Sequence, residues 1–424
     1  MTTGTRSYAV LAKPAGPLCN LACRYCFYTE KIHLFNPNCN CKMPGNVLEA
    51  YIRQYIAMHG DVEIQFPWQG GEPTLVGLDF FRKVVAIQQK YGAGRKITNT
   101  LQTNGILLDD AWCAFLAEHN FLVGISIDGP EPLHDRFRVD RQGKATFQRV
   151  LKGITAMKQH GVRFNTLTVV HNHNAGQPRE VYRFLKEIGD RFMQFIPLVE
   201  REPGEHEAAS GLDWSMPPSP DGPDVEHPVS AQSVQPDAWA DFYITIFDEW
   251  VRNDIGQQFI QFFDATLGNF LGAEPGICYY AETCGHAAAL EHNGDVYACD
   301  HFVYPAYRLG NILETPLADL LNSQRQKEFG AAKARALPRY CQDCDVLFAC
   351  HGECPKNRFL KTPDGEAGLN YLCRGYSKLF RHLAPYMQLM ADQVRSGQPA
   401  TGVMEIIQAN EHDTPVTAAQ SNDG

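Results

Sequence analysis

Three of the chain's 14 cysteines stand in one short run, Cys19-Asn20-Leu21-Ala22-Cys23-Arg24-Tyr25-Cys26. Three thiolates on one loop can hold three irons of a cubane 4Fe–4S cluster and leave the fourth iron open to a ligand. The blander reading is a zinc ion, with Cys39, Cys41 or His33 completing a four-ligand set, but the uneven spacing with Tyr25 and Phe27 around the last cysteine favours the cluster. Eight more cysteines follow late in the chain: Cys278, Cys284, Cys299, Cys341, Cys344, Cys350, Cys354 and Cys373. Eight thiolates make two closed sets of four, enough for two further clusters with no open iron, or for a pair of zinc ribbons. Cys39, Cys41 and Cys113 fall outside both groups and read as free thiols, with Cys113 a core residue on a helix. Grouped thiols in a long chain without an export signal point to a reducing compartment, and the protein is expected in the cytoplasm.

Other residues offer polar chemistry near these groups. In Gln69-Gly70-Gly71-Glu72-Pro73 the glycines let backbone approach a ligand closely and Glu72 can face an ammonium group, although such a stretch also serves as an ordinary strand-to-helix turn. In Gly124-Ile125-Ser126-Ile127-Asp128 the alternation puts Ser126 and Asp128 on one polar face. Arg138 and its neighbour Arg136 carry planar forks suited to a carboxylate. Asp300 and His301 follow Cys299 directly. A carboxylate attached to a cluster ligand can take a proton where an electron leaves; it can also merely orient the loop. No role for His301 follows from the sequence.

These groups need a frame to bring them together. Residues 8–13, 62–68, 97–103, 122–128, 163–170 and 192–198 are β-rich runs, and helical patterning fills 47–58, 78–91, 109–118, 145–159 and 177–188 between them. Six β/α units predict a parallel sheet with right-handed crossovers, an α/β fold with its chemistry at the C-terminal ends of the strands. Residues 200–236 carry seven prolines and read as a long surface loop; helices resume over 237–252 and 258–271. Residues 278–373 offer only short strand candidates, 288–291 and 295–298, so metal rather than a large apolar core is expected to hold them. Residues 374–394 read as helix and the last 25 or so as a frayed polar tail. The expected divisions are 1–199, 200–277, 278–373 and 374–424. With 38 basic and 48 acidic side chains the net charge is −10, which argues against a nucleic-acid partner, and no window approaches the roughly 18 apolar residues of a membrane span.

The Cys-x3-Cys-x2-Cys loop after strand one of a six-unit β/α run resembles the radical S-adenosylmethionine (SAM) enzymes. The late cysteines resemble the SPASM extension of that superfamily. The fold implied is a partial (β/α)6 TIM-like barrel with a C-terminal Cys-rich iron–sulfur (SPASM) domain. By this resemblance Cys19, Cys23 and Cys26 hold the cluster that binds SAM. Tyr25, Gly71, Glu72, Ser126, Arg138 and the backbone of Val199 match SAM-contacting positions. Cys278, Cys284, Cys299 and Cys354 would hold one auxiliary cluster and Cys341, Cys344, Cys350 and Cys373 the other, three 4Fe–4S clusters in all.

Narrower agreement lies in Tyr297-Ala298-Cys299-Asp300-His301-Phe302, Leu101-Gln102-Thr103-Asn104-Gly105 and Arg308-Leu309-Gly310-Asn311-Ile312. It resembles the anaerobic sulfatase-maturating enzymes, which oxidise one Cys or Ser of a sulfatase to formylglycine. The resemblance implies Asp300 as catalytic base. The auxiliary clusters, being fully ligated, suit the role of electron outlet, which needs no open iron. Tyr28, Gln69 and Gln102, on the C-terminal side of the strands, are expected either as substrate contacts or as structural residues. The resemblance further implies a nascent or unfolded sulfatase polypeptide as substrate and a reduced flavodoxin- or ferredoxin-like donor. Two alternatives stand beside it. One is another SPASM peptide maturase, which commonly needs an N-terminal recognition domain for which the first strand near residue 8 leaves no room. The other is a non-catalytic iron–sulfur electron carrier.

Overall fold

The structure, a computed structural model, describes residues 8–35, 40–60, 63–218 and 228–413. Its central sheet follows from alternation in the strands. In β5 (Phe164–Val170) every second side chain, from Phe164 to Val170, is buried, while Asn165, Leu167 and Val169 face the other side. The other strands of the parallel run are β1 (Ala9–Ala12), β2 (Ile64–Trp68), β3 (Ile97–Thr103), β4 (Leu122–Ser126) and β6 (Phe192–Pro197). Each pairs in parallel with the next. The crossovers are α1 (Gly45–Met58), α2 (Leu78–Gly92), α3 (Asp110–Glu118), α4 (Phe147–Gln159) and α5 (Pro178–Ile188). Asp109 caps α3 by accepting from Trp112 N, and Pro178 starts α5 at a position that needs no N–H.

The sheet does not stop at six strands. Beyond β6 lies the short β7 (Phe259–Ile260), set between the helices α6 (Pro236–Asn253) and α7 (Gln261–Leu271). On the other side, β8 (Ala287–Leu290) runs parallel to β1 over four residue pairs, Ala9 opposite Ala287 to Ala12 opposite Leu290. Then β9 (Asp295–Tyr297) and β10 (Arg308–Asn311) add antiparallel strands, making ten in the order β10-β9-β8-β1-β2-β3-β4-β5-β6-β7. The late, cysteine-rich segment is thus continuous with the barrel.

Three expectations change here. The late segment does have an apolar core: Ala288, Leu290, Val296, Ile312, Leu317 and Leu321 belong to the same buried cluster as the barrel strands. It also holds a 12-residue helix, α8 (Gln324–Arg335), whose apolar periodicity is weak because Gln326 and Lys333 are among its buried residues. The chain end is not frayed from residue 400. After the long α9 (Cys373–Arg395), a further helix α10 (Gly402–Asp413) forms because Val403 and Ile407 reach the core. The Pro-rich stretch contains a short helix, Glu205–Ala209, and is tied back by Ser230 N donating to Glu200 O at 2.8 Å. No helix among the described residues is long and apolar enough to cross a membrane.

At the crossing of α9 over the start of α6, Gly375 meets Pro236, and a Cβ there would lie 2.1 Å from the Pro236 carbonyl oxygen. Gly375→Ala is predicted to cost about 1–3 kcal/mol through overpacking, read as a lower urea midpoint with an unchanged slope.

Candidate active site

Above the C-terminal ends of β1 to β6 opens one cavity that collects most of the sequence-predicted residues. Cys19, Cys23, Cys26, Tyr25, Tyr28, Gln69, Gly71, Gln102, Ser126, Arg138 and Asp300 all line it. Burial pushes the Cys19 thiol up to about 12, with the nearby Glu72 carboxylate adding to the effect, and burial likewise pushes Cys23 up. Such thiols stay protonated unless a metal replaces the protons. The three donors fit a cluster with one open position, since the cavity continues beyond them to Ser126, Arg138 and Asp300. The zinc reading fares poorly. Cys41 is disulfide-bonded and so is neither a free thiol nor a fourth ligand; Cys39 lies outside the described residues. Side-chain direction, which spacing does not reveal, decides such pairing. Among the described residues no three His, Cys, Asp or Glu side chains converge on a point that could hold a single ion.

Local sequence explains how the polar lining is held. Gln102 donates to Ser126 Oγ at 3.1 Å, an approach that only Gly124 permits, since a Cβ there would stand 2.0 Å from Gln102 Oε1. Arg138 pairs with Asp128 at 2.9 Å, and the Tyr25 hydroxyl donates to the same carboxylate at 2.5 Å. Burial raises Asp128, but the Arg138 guanidinium, then His171 and His134, outweigh it and hold the carboxyl below its ordinary value.

Two expected contacts, Glu72 and the backbone of Val199, are not among the lining residues. Glu72 caps the turn Pro73–Val76, its Oε1 accepting from Thr74 N and Oγ1 and Thr103 Oγ1 and its Oε2 from Asn104 N, so the turn and the end of β3 fix its direction. Val199 is buried beneath the lining, and its carbonyl accepts from Lys356 Nζ at 3.1 Å; Leu198 and Glu200 on either side face the cavity instead.

Asp300 lies in the cavity wall and forms an ion pair with Lys13, the residue just after β1. Burial raises its carboxyl, but Lys13, His301 and Lys31 together leave it below the usual carboxylate value. His301 packs on Phe27 with ring centroids 4.9 Å apart, and burial brings it down to about 4, so it is neutral at pH 7. Sequence reasoning missed Lys13, Glu200 and Lys356, all in the lining, and Asp128 as the partner of Arg138. Lys13, Glu200 and Lys356 belong to no spaced motif, and each matters through a partner from a distant segment.

The late cysteines separate into two neighbourhoods. Cys284 lies close enough to Cys278 to raise its thiol, as both do for Cys354, and Cys278 and Cys354 do the same for Cys299. Cys341, Cys344, Cys350 and Cys373 line one small cavity of their own. Between the groups, Lys333 donates to the carbonyls of Cys278 and Tyr279, and Arg358 to those of Gly352, His351 and Glu353. Cys113 is fully buried in the barrel core.

A model of the radical SAM superfamily matches residues 14–185, and one of an iron–sulfur cluster-binding domain, SPASM, matches 278–345. The serine-type anaerobic sulfatase-maturating enzyme of Bacteroides thetaiotaomicron is 46% identical over 404 residues, 94% of each chain. The chain belongs to the anaerobic sulfatase-maturating enzyme family. A cysteine-type member of that family from Clostridium perfringens (strain 13) is 32% identical over 398 residues, 91% of this chain and 99% of the other. The crystal structure of native anSMEcpe with bound AdoMet and Kp18Cys peptide superimposes with a TM-score of 0.77 at 31% identity, covering 91% and 99% of the two chains. The sheet is therefore the partial barrel of a radical SAM enzyme, and family membership sets aside the electron-carrier reading.

Asp128→Asn leaves the buried Arg138 unpaired and is predicted to cost about 3–5 kcal/mol at neutral pH, measured by urea unfolding. Because the folded carboxyl lies below its unfolded value, its contribution is complete above about pH 4 and is lost as pH falls through the folded value. The gap between variant and wild type should narrow in that acid range.

Proposed function

We propose that this protein is a SAM-dependent oxidase that converts one Ser or Cys of a nascent or unfolded sulfatase polypeptide to formylglycine. The observation that carries this reading is that Asp300 and the thiols of Cys19, Cys23 and Cys26 line a single cavity. The identity to a serine-type family member supports the same substrate. An oxygen-labile open cluster and many reduced thiols suit the cytoplasm, and a reduced flavodoxin- or ferredoxin-like protein suits the role of electron donor.

Cys19, Cys23 and Cys26 would hold the cluster and its SAM, which when bound supply one-electron chemistry that removes a hydrogen atom from the target Cβ. Ser126 and Arg138, with Tyr25 and Gly71, are the proposed cofactor contacts; Arg138 reaches the lining from its pair with Asp128. Tyr28, Gln69 and Gln102 are the proposed substrate contacts. Asp300 receives the proton of the target hydroxyl or thiol. An ordinary thiol, with a pKa of about 8.5, is a poor acid toward a carboxylate, but the same group on a carbon radical is far more acidic. Loss of the hydrogen atom, the proton and one electron turns the Ser side chain into an aldehyde. The Cys side chain becomes a thioaldehyde, which water hydrolyses to the same aldehyde with release of sulfide. Asp300 directly follows Cys299, which sets the proton acceptor against the four-thiol group that we assign, with its Cys341, Cys344, Cys350 and Cys373 companion, as the outlet for that electron.

The test is anaerobic incubation of the iron-loaded, reduced protein with SAM and a sulfatase-derived Cys-x-Pro-x-Arg peptide or its Ser variant. The Ser peptide should lose about 2 mass units and the Cys peptide about 18, with 5′-deoxyadenosine formed. Deoxyadenosine without peptide change would transfer the reading to another SPASM peptide maturase. Asp300→Asn should lower turnover by about 100-fold or more while SAM is still cleaved. Iron content should be about 12 per chain and fall to about 8 when Cys19, Cys23 and Cys26 are all replaced by Ala.

A further inference from the structure

Lys13 is, with Lys356, one of two lysines in the cavity wall that no motif predicts. Its side chain is 1% exposed, and a buried ammonium is costly unless it is paired. Its stem runs so close beneath the Gly70 backbone that a Cβ on Gly70, whose φ is +123°, would stand 3.1 Å from Lys13 Cδ. The ammonium at its end meets three of the residues proposed to act on the substrate. It pairs with Asp300, donates to Gln69 Oε1 at 3.3 Å and lies 4.3 Å from the centre of the Tyr28 ring. Tyr28 is itself fixed from behind, its hydroxyl donating to the buried Glu291, which in turn holds His292 Nδ1 at 3.0 Å.

We propose that Lys13 is a positioning residue for Asp300: it aims the carboxylate at the reacting Oγ or Sγ and ties its place to those of Gln69 and Tyr28. This rests on the formylglycine reading and deepens it. Asp300 stands on a short turn, Asp300–Phe302, in the late segment, whereas Gln69 and Tyr28 stand on barrel loops. Lys13, at the end of β1, is the group that bonds to both sides. A carboxylate displaced by 1 Å loses much of its value as a proton acceptor, because proton transfer needs hydrogen-bond contact in the reacting geometry.

The experiment uses the iron-loaded enzyme and compares wild type, Lys13→Met, Lys13→Arg, Asp300→Asn and the Lys13→Met/Asp300→Asn pair. Readouts are iron content, kcat and KM for the Ser peptide, and deoxyadenosine formed per aldehyde. Lys13→Met is expected to keep its iron, to lower kcat by about 10- to 100-fold with KM within about threefold, and to release extra deoxyadenosine per aldehyde. The double variant should be no slower than Asp300→Asn alone, and Lys13→Arg should recover part of the lost kcat. An unchanged kcat and coupling ratio in Lys13→Met, or losses that multiply in the double variant, would overturn the proposal. If Lys13→Met fails to load iron, Lys13→Arg decides: a kcat within about tenfold of wild type supports the proposal, and one as low as that of Asp300→Asn with full iron overturns it. Should wild type cleave SAM and leave both peptides unchanged, the formylglycine reading fails first and Lys13 falls with it.

Discussion

Strand β1 is hydrogen-bonded on both edges, to β2 on one side and to β8 on the other, and the active site depends on that double pairing. Val10 and Ala12 are fully buried, so a one-residue slip against β8 would turn them outward and bring Ala9 and Leu11 in. Because β1 and β8 run parallel in register, the chain leaves both strands at the same end of the sheet. Lys13 N donates to Leu290 O at 2.8 Å to extend the ladder by one step. The Cys19 to Cys26 loop therefore shares a cavity with Asp300 and His301, though some 270 residues separate them in the chain.

Around that junction, four charges are buried against an opposite partner. Lys13 faces Asp300, Arg138 faces Asp128, Lys31 faces Glu30 and Lys356 faces Glu200. Removing ions from water costs several kcal/mol each, and close partners offset the cost only when geometry is fixed. Such pairs thereby set the directions of the polar groups before a substrate enters. Groups fixed in advance in a poorly solvated site need little reorganisation when charge develops. The Pro-rich segment joins the same scheme: Glu30 accepts from the backbone N–H groups of Asp213 and Trp214, which clamps that segment against the turn that follows Cys26 and Tyr28. The thiols behave differently. Burial keeps Cys19 and Cys23 protonated, so iron binding, which releases those protons, is the step that completes the site.

The strands and helices of the barrel were legible because each is long enough to show its period: β3 occupies the span read from the sequence, and β2, β4, β5 and β6 end within two residues of theirs. Among the shorter elements, β8 and β9 lie within one residue of the candidates 288–291 and 295–298, but others were not legible. The two residues of β7 and the four of β10 carry no period, and α8 buries Gln326 and Lys333 where a helix read by apolarity would bury leucines. Glu72 and Val199 show the limit for the site. A motif indicates that a segment approaches the ligand, but which of its side chains face the cavity depends on where the neighbouring turn needs a cap and where Lys356 needs an acceptor.

By itself the sequence determined what rests on local spacing: the three-thiol loop, the β/α rhythm, the chemical kind of donor at each position, and the family to which those motifs belong. Tertiary structure alone decided the rest. It joined the late strands to β1, drew the eight late thiols into two neighbourhoods, committed Cys41 to a disulfide and set Lys13 against Asp300. These are contacts between segments far apart in the chain, and no local spacing encodes them. They form because a parallel sheet with a shared core brings distant strand ends to one face, where buried charge must find its opposite.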